Sequence, residues 1–285
     1  MKIGLVVNGF VENSKFNTLY SLLFDSAKKN NIELIKIKTT DFLINFEDDI
    51  INYLKEHKIE KIIFWDKDVL FAKYLENNGF KLYNNSQSIE ICDDKNYTNI
   101  ILANNNIPIP KTILMPFYYS EYKNLDFINN LKINYPVILK EAKGSFGMQV
   151  YLVNNEEELK EKLFLLSPKR MQIQEYISES SGKDIRVMVV FGKVVAAIER
   201  EAKDDFRANL TLGATAKPYV CSKFEEELAI KISKILNLDF CGIDFLKSNR
   251  GILVCEVNSN AHFKNLFDVT NINVADYIFE GIKNN

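Results

Sequence analysis

Near its carboxyl end the chain carries ILVCEVNSNAHF, Ile252 to Phe263, an apolar run in which Glu256 and Asn258 stand two residues apart. Alternate residues of a strand share a face, so a carboxylate and an amide oxygen would be presented side by side. The preceding FCGIDFLKSNRG supplies a partner strand, and a turn at Ser248 to Gly251 would bring Asp244 close to that pair. Two carboxylates and an amide oxygen are hard ligands suited to Mg²⁺, which keeps positions for water and phosphate oxygen. The competing reading is a solvated strand face, because antiparallel sheets often expose one side to water.

A second stretch, KEAKGSFGMQV, places Gly144, Ser145, Phe146 and Gly147 between two apolar runs. Such a hairpin can wrap phosphates with backbone N–H groups, and Lys140 would add a fixed positive charge nearby. No Gly-Lys-Ser/Thr follows, so this is not a Walker A loop, and an ordinary hairpin turn is the plainer alternative. Further on, Gln174, Glu175, Tyr176 and Ile177 read as a linker between sheets, and Asp184 and Arg186 share one strand face. Arg200 ends another strand, and Arg207 and Asn209 repeat the i, i+2 spacing. Converging arginines and lysines would balance several phosphate charges; taken singly they would be surface ion pairs of little energetic weight.

The elements needed to position these groups can be read from periodicity. Up to about Asn85, apolar runs (KIGLVVNG, IELIKIK, KIIFWD, FKLYN) alternate with helical stretches at Phe16–Lys29, Asp48–His57 and Val69–Asn78, which predicts a parallel βαβ-type sheet. The first strand lacks a G-x-G-x-x-G fingerprint, which argues against a dinucleotide. From SQSIEICDDK a new unit begins, with Ser86 or Ser88 as a helix cap and Pro108 and Pro110 stopping the following helix. The expected organisation is 1–92, 93–177 and 178–285, mixed α/β (α+β) throughout. The last part is strand-rich, with a helix over Phe224–Leu236 and a closing helix from Asn273.

The chain has 285 residues, with 36 basic and 38 acidic side chains, so overall charge gives no reason to bind nucleic acid or an anionic membrane. Its four cysteines form no C-x-x-C pair, which excludes a zinc or disulfide framework as the first reading. No signal-peptide core or membrane-length apolar stretch is evident, and a cytoplasmic protein is expected. His57 is expected at the surface of its helix.

The order Lys95, Lys140, GSFG, QEYI, GKDIR, Arg200, FRANL, Asp244 and EVN resembles the ATP-grasp superfamily and, more narrowly, the RimK-type amino-acid ligases. The resemblance covers most of Asp93 to Ile282; residues 1–92 match only as a Rossmann-like domain preceding the ATP-grasp fold. It implies that Lys95 and Lys140 hold ATP phosphates and that Gly144 to Gly147 form a mobile loop over them. Gln174 to Ile177 would read the adenine edge, and Asp184 the ribose hydroxyls. Arg200, Arg207 and Asn209 would act near the γ-phosphate and acyl intermediate, and Asp244, Glu256 and Asn258 would bind two Mg²⁺ ions, with Mn²⁺ as a substitute.

The same resemblance implies an acylphosphate made from ATP and a small-molecule or peptide carboxylate, then attack by the amine of an amino acid such as glutamate. A phosphotransferase, or a nucleotide-binding module without turnover, is the alternative. By analogy a homodimer or homotetramer is expected. After EVN the chain departs from the family's small Ser-Pro-Gly-like turn and runs Ser259-Asn260-Ala261-His262-Phe263-Lys264-Asn265. That segment should lie beside the acyl site, where His262 would either orient a substrate or bind the incoming amine, or else simply begin a helix.

Overall fold

The computed structural model describes residues 1–11, 14–44, 49–117, 125–144, 147–209 and 213–285. Its first sheet contains β1 (Lys2–Val7), β2 (Glu33–Lys38), β3 (Lys61–Trp65) and β4 (Lys81–Tyr83), in the order β2-β1-β3-β4 with every pair parallel. Helices α1 (Ser14–Lys29), α2 (Asp49–Glu56) and α3 (Val69–Asn77) make the crossovers that parallel pairing requires. The buried runs in β1 and β3 are nearly continuous because helices cover both faces of such a sheet.

Helices α4 (Ser86–Asp93) and α5 (Lys95–Asn104) lead out of this layer. The expected serine cap is replaced by Asn85, whose side-chain oxygen accepts from the Ser88 N–H at 2.9 Å, so both serines lie inside the helix. Asp94 breaks the pair by capping α5 through Asn96 and Tyr97 N–H groups. An aspartate that satisfies two orphan amides can start a new helix where another would otherwise continue.

A second sheet, all antiparallel, orders β5 (Thr112–Leu114), β8 (Met171–Glu175), β6 (Val137–Glu141) and β7 (Val150–Val153), with α6 (Glu156–Leu166) packed on it. Its apolar core, Val137, Leu139, Val153, Leu159, Leu163, Met171 and Ile173 among others, is separate from those of the other layers. The third sheet orders β11 (Thr215–Pro218), β10 (Lys193–Glu201), β9 (Lys183–Val190), β12 (Phe240–Ser248) and β13 (Gly251–Asn258). Helix α7 (Lys223–Ile235) covers one side and begins with a reciprocal capping box between Ser222 and Glu225. The chain closes with α8 (Lys264–Thr270) and α9 (Val274–Asn284).

The first and third sheets share one core, in which Ile3, Leu5 and Trp65 meet Met188, Val190, Phe240 and the α9 residues Ile278, Phe279 and Ile282. The Trp65 and Phe240 rings stack 5.3 Å apart. Asn84, fully buried just after β4, bolts the two sheets together with four hydrogen bonds. Its Nδ2 donates to the Phe240 and Ser259 carbonyls at 2.9 and 2.8 Å, and its Oδ1 accepts from the Asp239 and Phe240 N–H groups at 2.7 and 3.2 Å. Every hydrogen-bonding position of that amide is filled, which is the condition for burying it cheaply. His57 differs from expectation, being half-buried with its ring 4.1 Å from that of Tyr53.

Candidate active site

The candidate metal trio is created by strand register. Asp244 on β12 stands directly opposite Glu256 on β13, and Asn258 stands opposite Gly242 two places along. On the other side of β12, Asp244 is in register with Arg186 of β9, and Asp184 of β9 with Arg200 of β10. Arg186 and Arg200 are thereby interleaved with Asp184 and Asp244 on three adjacent strands, with Glu256 beside Asp244 on the fourth. Arg186 donates through Nε and Nη2 to the two Asp244 oxygens at 2.7 and 2.6 Å. Arg200 reaches both Asp184 oxygens at 2.6 and 2.5 Å and also lies 3.0 Å from Asp244.

These contacts set the protonation states. Burial would raise the Asp244 pKa, but Arg186 and Arg200 reverse that and bring it to about 2. For Asp184 burial prevails over Arg200, helped by the neighbouring charge of Asp244, and the value rises to about 6. Glu256 is partly buried, and Lys95, 3.3 Å away, holds it below the ordinary carboxylate range. Among the described residues no group of three or more His, Cys, Asp or Glu side chains gathers as a metal site. The trio instead combines two ionised carboxylates with an amide, and this set of hard oxygen donors fits Mg²⁺.

A cleft beside the trio is lined by Lys95, Lys140, Gly144, Gly147, Gln174, Glu175, Tyr176, Ile177, Asp184, Arg200, Arg207 and Asn209, together with Asp244 and Glu256. Lys140 is buried and donates to Gln174 Oε1 at 2.8 Å, while Gln174 donates onward to Thr112 Oγ1 at 2.9 Å. Lys95, at the start of α5, donates to the Gly144 carbonyl at 3.0 Å. Ser145 and Phe146 lie outside the described residues.

Gly147 has φ +71°, and a Cβ there would come within 2.8 Å of Asn209 Oδ1. Arg207 donates to the Gly147 carbonyl at 2.7 Å. Glycine is thus required both by backbone conformation and by the close approach of Asn209. Arg207 and Asn209 do not lie in a strand, contrary to the alternation expected of them. Glu175 turns its carboxylate away to the Lys111 N–H, 2.7 Å, and to Arg250. Both Asp184 oxygens are engaged by Arg200 rather than left open toward the cleft.

A second cavity, of about 310 Å³, adjoins the first across Arg200, Asn209 and Glu256. Its wall adds Asn258, Asn260 and His262 to residues of the first layer, including Asn8, Lys15 and Asp66. Sequence reasoning assigned no role to Asn8, Lys15, Asp66 or Asn260, and Arg186 received no individual one. Asn260 and His262 do extend the alternation begun by Glu256 and Asn258, a signal that was available. Asp66 follows β3, at the carboxyl end of a parallel sheet, where ligands commonly bind.

The layers and cleft define a nucleotide-dependent enzyme of the ATP-grasp class. A family model of the RimK-like ATP-grasp domain matches residues 92–282, and the chain belongs to that family. It is similar to "Uncharacterized protein MG012" of Mycoplasma genitalium, 36% identical over 94% of this chain and 99% of the relative. It is also similar to the alpha-aminoadipate–LysW ligase LysX of Saccharolobus solfataricus, 29% identical over 90% of this chain and 94% of the relative.

The crystal structure of a D-alanine–D-alanine ligase from Bacillus anthracis complexed with ATP superposes with a TM-score of 0.73, covering 100% of this chain and 96% of that one at 19% identity, a likeness of fold. The chain is an ATP-dependent ligase of the carbon–nitrogen bond-forming class, and enzymes of this fold use ATP with Mg²⁺. Among the described residues no helix is long and apolar enough to cross a membrane.

Proposed function

We propose that the protein joins a carboxylate to the amine of an amino acid such as glutamate through an acylphosphate. The observation that carries this reading is the convergence on one cleft of Lys95, Lys140, Arg200 and Arg207 with Asp244 and Glu256. A free carboxylate resists amines because oxide is a poor leaving group. Transfer of the γ-phosphoryl group of ATP to a carboxylate oxygen gives ADP and an acylphosphate. The amine nitrogen, in its neutral form, then attacks the acyl carbon; the C–N bond forms, the C–O bond to phosphate breaks with its electron pair leaving on phosphate, and the proton lost from nitrogen passes to the departing phosphate.

The chain's part is positioning and charge stabilisation, as in phosphoryl transfer generally. Lys95 and Lys140 bind phosphate oxygens. Arg200 and Arg207 stabilise the oxyanions of both steps. Gly144 to Gly147 exclude water from the acylphosphate, and the bond from Arg207 to Gly147 couples that closure to an oxyanion-binding arginine. Asp244, Glu256 and Asn258 would hold Mg²⁺, which when bound polarises phosphate oxygens. The backbone of Gln174 to Ile177 reads the adenine edge.

Asp184 contacts the ribose once Arg200 turns toward phosphate. Hydroxylamine trapping tests the reading: with MgATP and a panel of small carboxylates and amino acids, a hydroxamate should accumulate with ADP. ADP release without hydroxamate would indicate a phosphotransferase instead, and nucleotide binding without ADP release a module without turnover.

A further inference from the structure

The second cavity has polar groups that the protein itself leaves unanswered. Asp66 is more than nine-tenths buried; its Oδ1 accepts from the Lys67 N–H at 2.6 Å and from Asn8 at 3.3 Å, but its Oδ2 has no partner. Asn260 donates from Nδ2 to the Asp66 carbonyl at 2.6 Å, which fixes the amide and leaves its buried Oδ1 without a partner. His262 Nε2 lies 3.1 Å from the Lys15 carbonyl.

A carbonyl only accepts, so Nε2 carries the hydrogen and Nδ1 presents a lone pair; that Nδ1 is also buried without a partner. All three residues line the same cavity. The fourth orphan on this wall, Asn258 Nδ2, is a donor, whereas these three are acceptors, and buried acceptors left unmade are costly. What completes them is a group with several N–H donors. A primary ammonium, with three donors and no acceptor, matches that requirement.

Lys15, Arg186 and Arg200 also line the cavity. Burial, then the charges of Arg186 and Arg200, hold the Lys15 pKa below its ordinary value, which places three cations within electrostatic reach of one another. They favour an anionic group in the same space. A cavity near 310 Å³ is at the small end for ligand pockets.

We propose that this cavity is the seat of an α-amino acid, whose ammonium is read by Asp66, Asn260 and His262 and whose carboxylate faces Lys15 and Arg186. The assignment rests on the ligase reading and deepens it: these residues, from the first layer and the segment after β13, determine that the occupant carries a free amine. The cavity shares Arg200, Asn209 and Glu256 with the nucleotide cleft, so its occupant lies next to the phosphate end.

Calorimetry on the full-length protein with MgADP present tests this, using the free L-amino acids and their N-acetyl derivatives as probes. At least one amino acid should bind at millimolar concentration or below, with its N-acetyl derivative weaker by about tenfold or more, near 1.4 kcal/mol. Asp66→Asn should weaken that amino acid by a similar factor and leave MgADP affinity unchanged, and His262→Phe should act in the same direction. The wild-type contrast between free and acetylated amines decides the matter even if a variant fails to fold. Equal affinity for the two forms, an Asp66→Asn protein that binds the amino acid unaltered, or binding of MgADP but of no amino acid overturns the assignment while leaving the nucleotide half of the ligase reading intact. Failure to bind MgADP removes the ligase reading itself.

Discussion

In the nucleotide cleft Lys95, Lys140, Arg200 and Arg207 each contact a protein acceptor, whereas the adjoining cavity holds four buried polar atoms, Asp66 Oδ2, Asn258 Nδ2, Asn260 Oδ1 and His262 Nδ1, that contact none. The cleft stores its charges as internal ion pairs; on the proposed reading a nucleotide would redistribute them, drawing Arg200 from Asp184 and Lys95 from Glu256. The cavity stores unmet hydrogen-bonding capacity that a ligand completes. On the proposed reading the first region would serve the nucleotide's charge and the second the particular molecule being ligated.

The largest test of that contrast is Glu256→Ala. Metal polarisation contributes several kcal/mol, so ADP release should fall by about three decades, and a loss under about tenfold would contradict the trio. Next is the bolt between the layers that wall the cavity. Asn84→Ala removes four hydrogen bonds and strands buried backbone groups, and chemical denaturation should register a loss of about 3 kcal/mol or more.

A titration follows. Burial, then the nearby Lys15, lowers His262 to about 4, so it is neutral in the folded protein. A histidine depressed from about 6.5 gives stability that is full above that value and lost as pH falls toward 4. From pH 7 to pH 4.5 wild type should lose about 2 kcal/mol more than His262→Phe when both are unfolded with urea.

Smaller still, Gly147→Ala forces φ +71° on a residue with a Cβ and crowds Asn209, and kcat should drop by about tenfold, a cost near 1.4 kcal/mol. The smallest effect belongs to the cleft's rim. Arg250 is 58% exposed in its pair with Glu175, so Arg250→Ala should change unfolding stability by less than about 1 kcal/mol.

The two regions were also unequally legible. The acid–amide alternation at Glu256 and Asn258, the hairpin glycines and the ordered lysines and arginines are local patterns, so sequence alone could assemble them. Asp66 carries no such pattern. It meets Asn260 only because the first sheet packs on the third, 194 positions away along the chain. The ion pair of Asp184 with Arg200 likewise follows from the β9–β10 register, which residue types do not announce. Local detail differs too: Asn85 rather than a serine caps α4, and α8 begins at Lys264 after Phe263, which offers no side-chain cap to signal it. Where a cap does exist, as at Asn273 before α9, the helix start was readable.

The sheet bearing Lys140 and the glycine hairpin keeps an oily interior of its own, while the two walls of the amino-acid seat are fused through a common one. Reorienting a body costs least where no interior is torn, so the hairpin-bearing sheet can swing like an upper jaw over a rigid lower one. On the ligase reading, spent nucleotide can then leave without unpacking the cavity beside it, and because each ligation consumes the amine, a fresh amine must enter for every ATP.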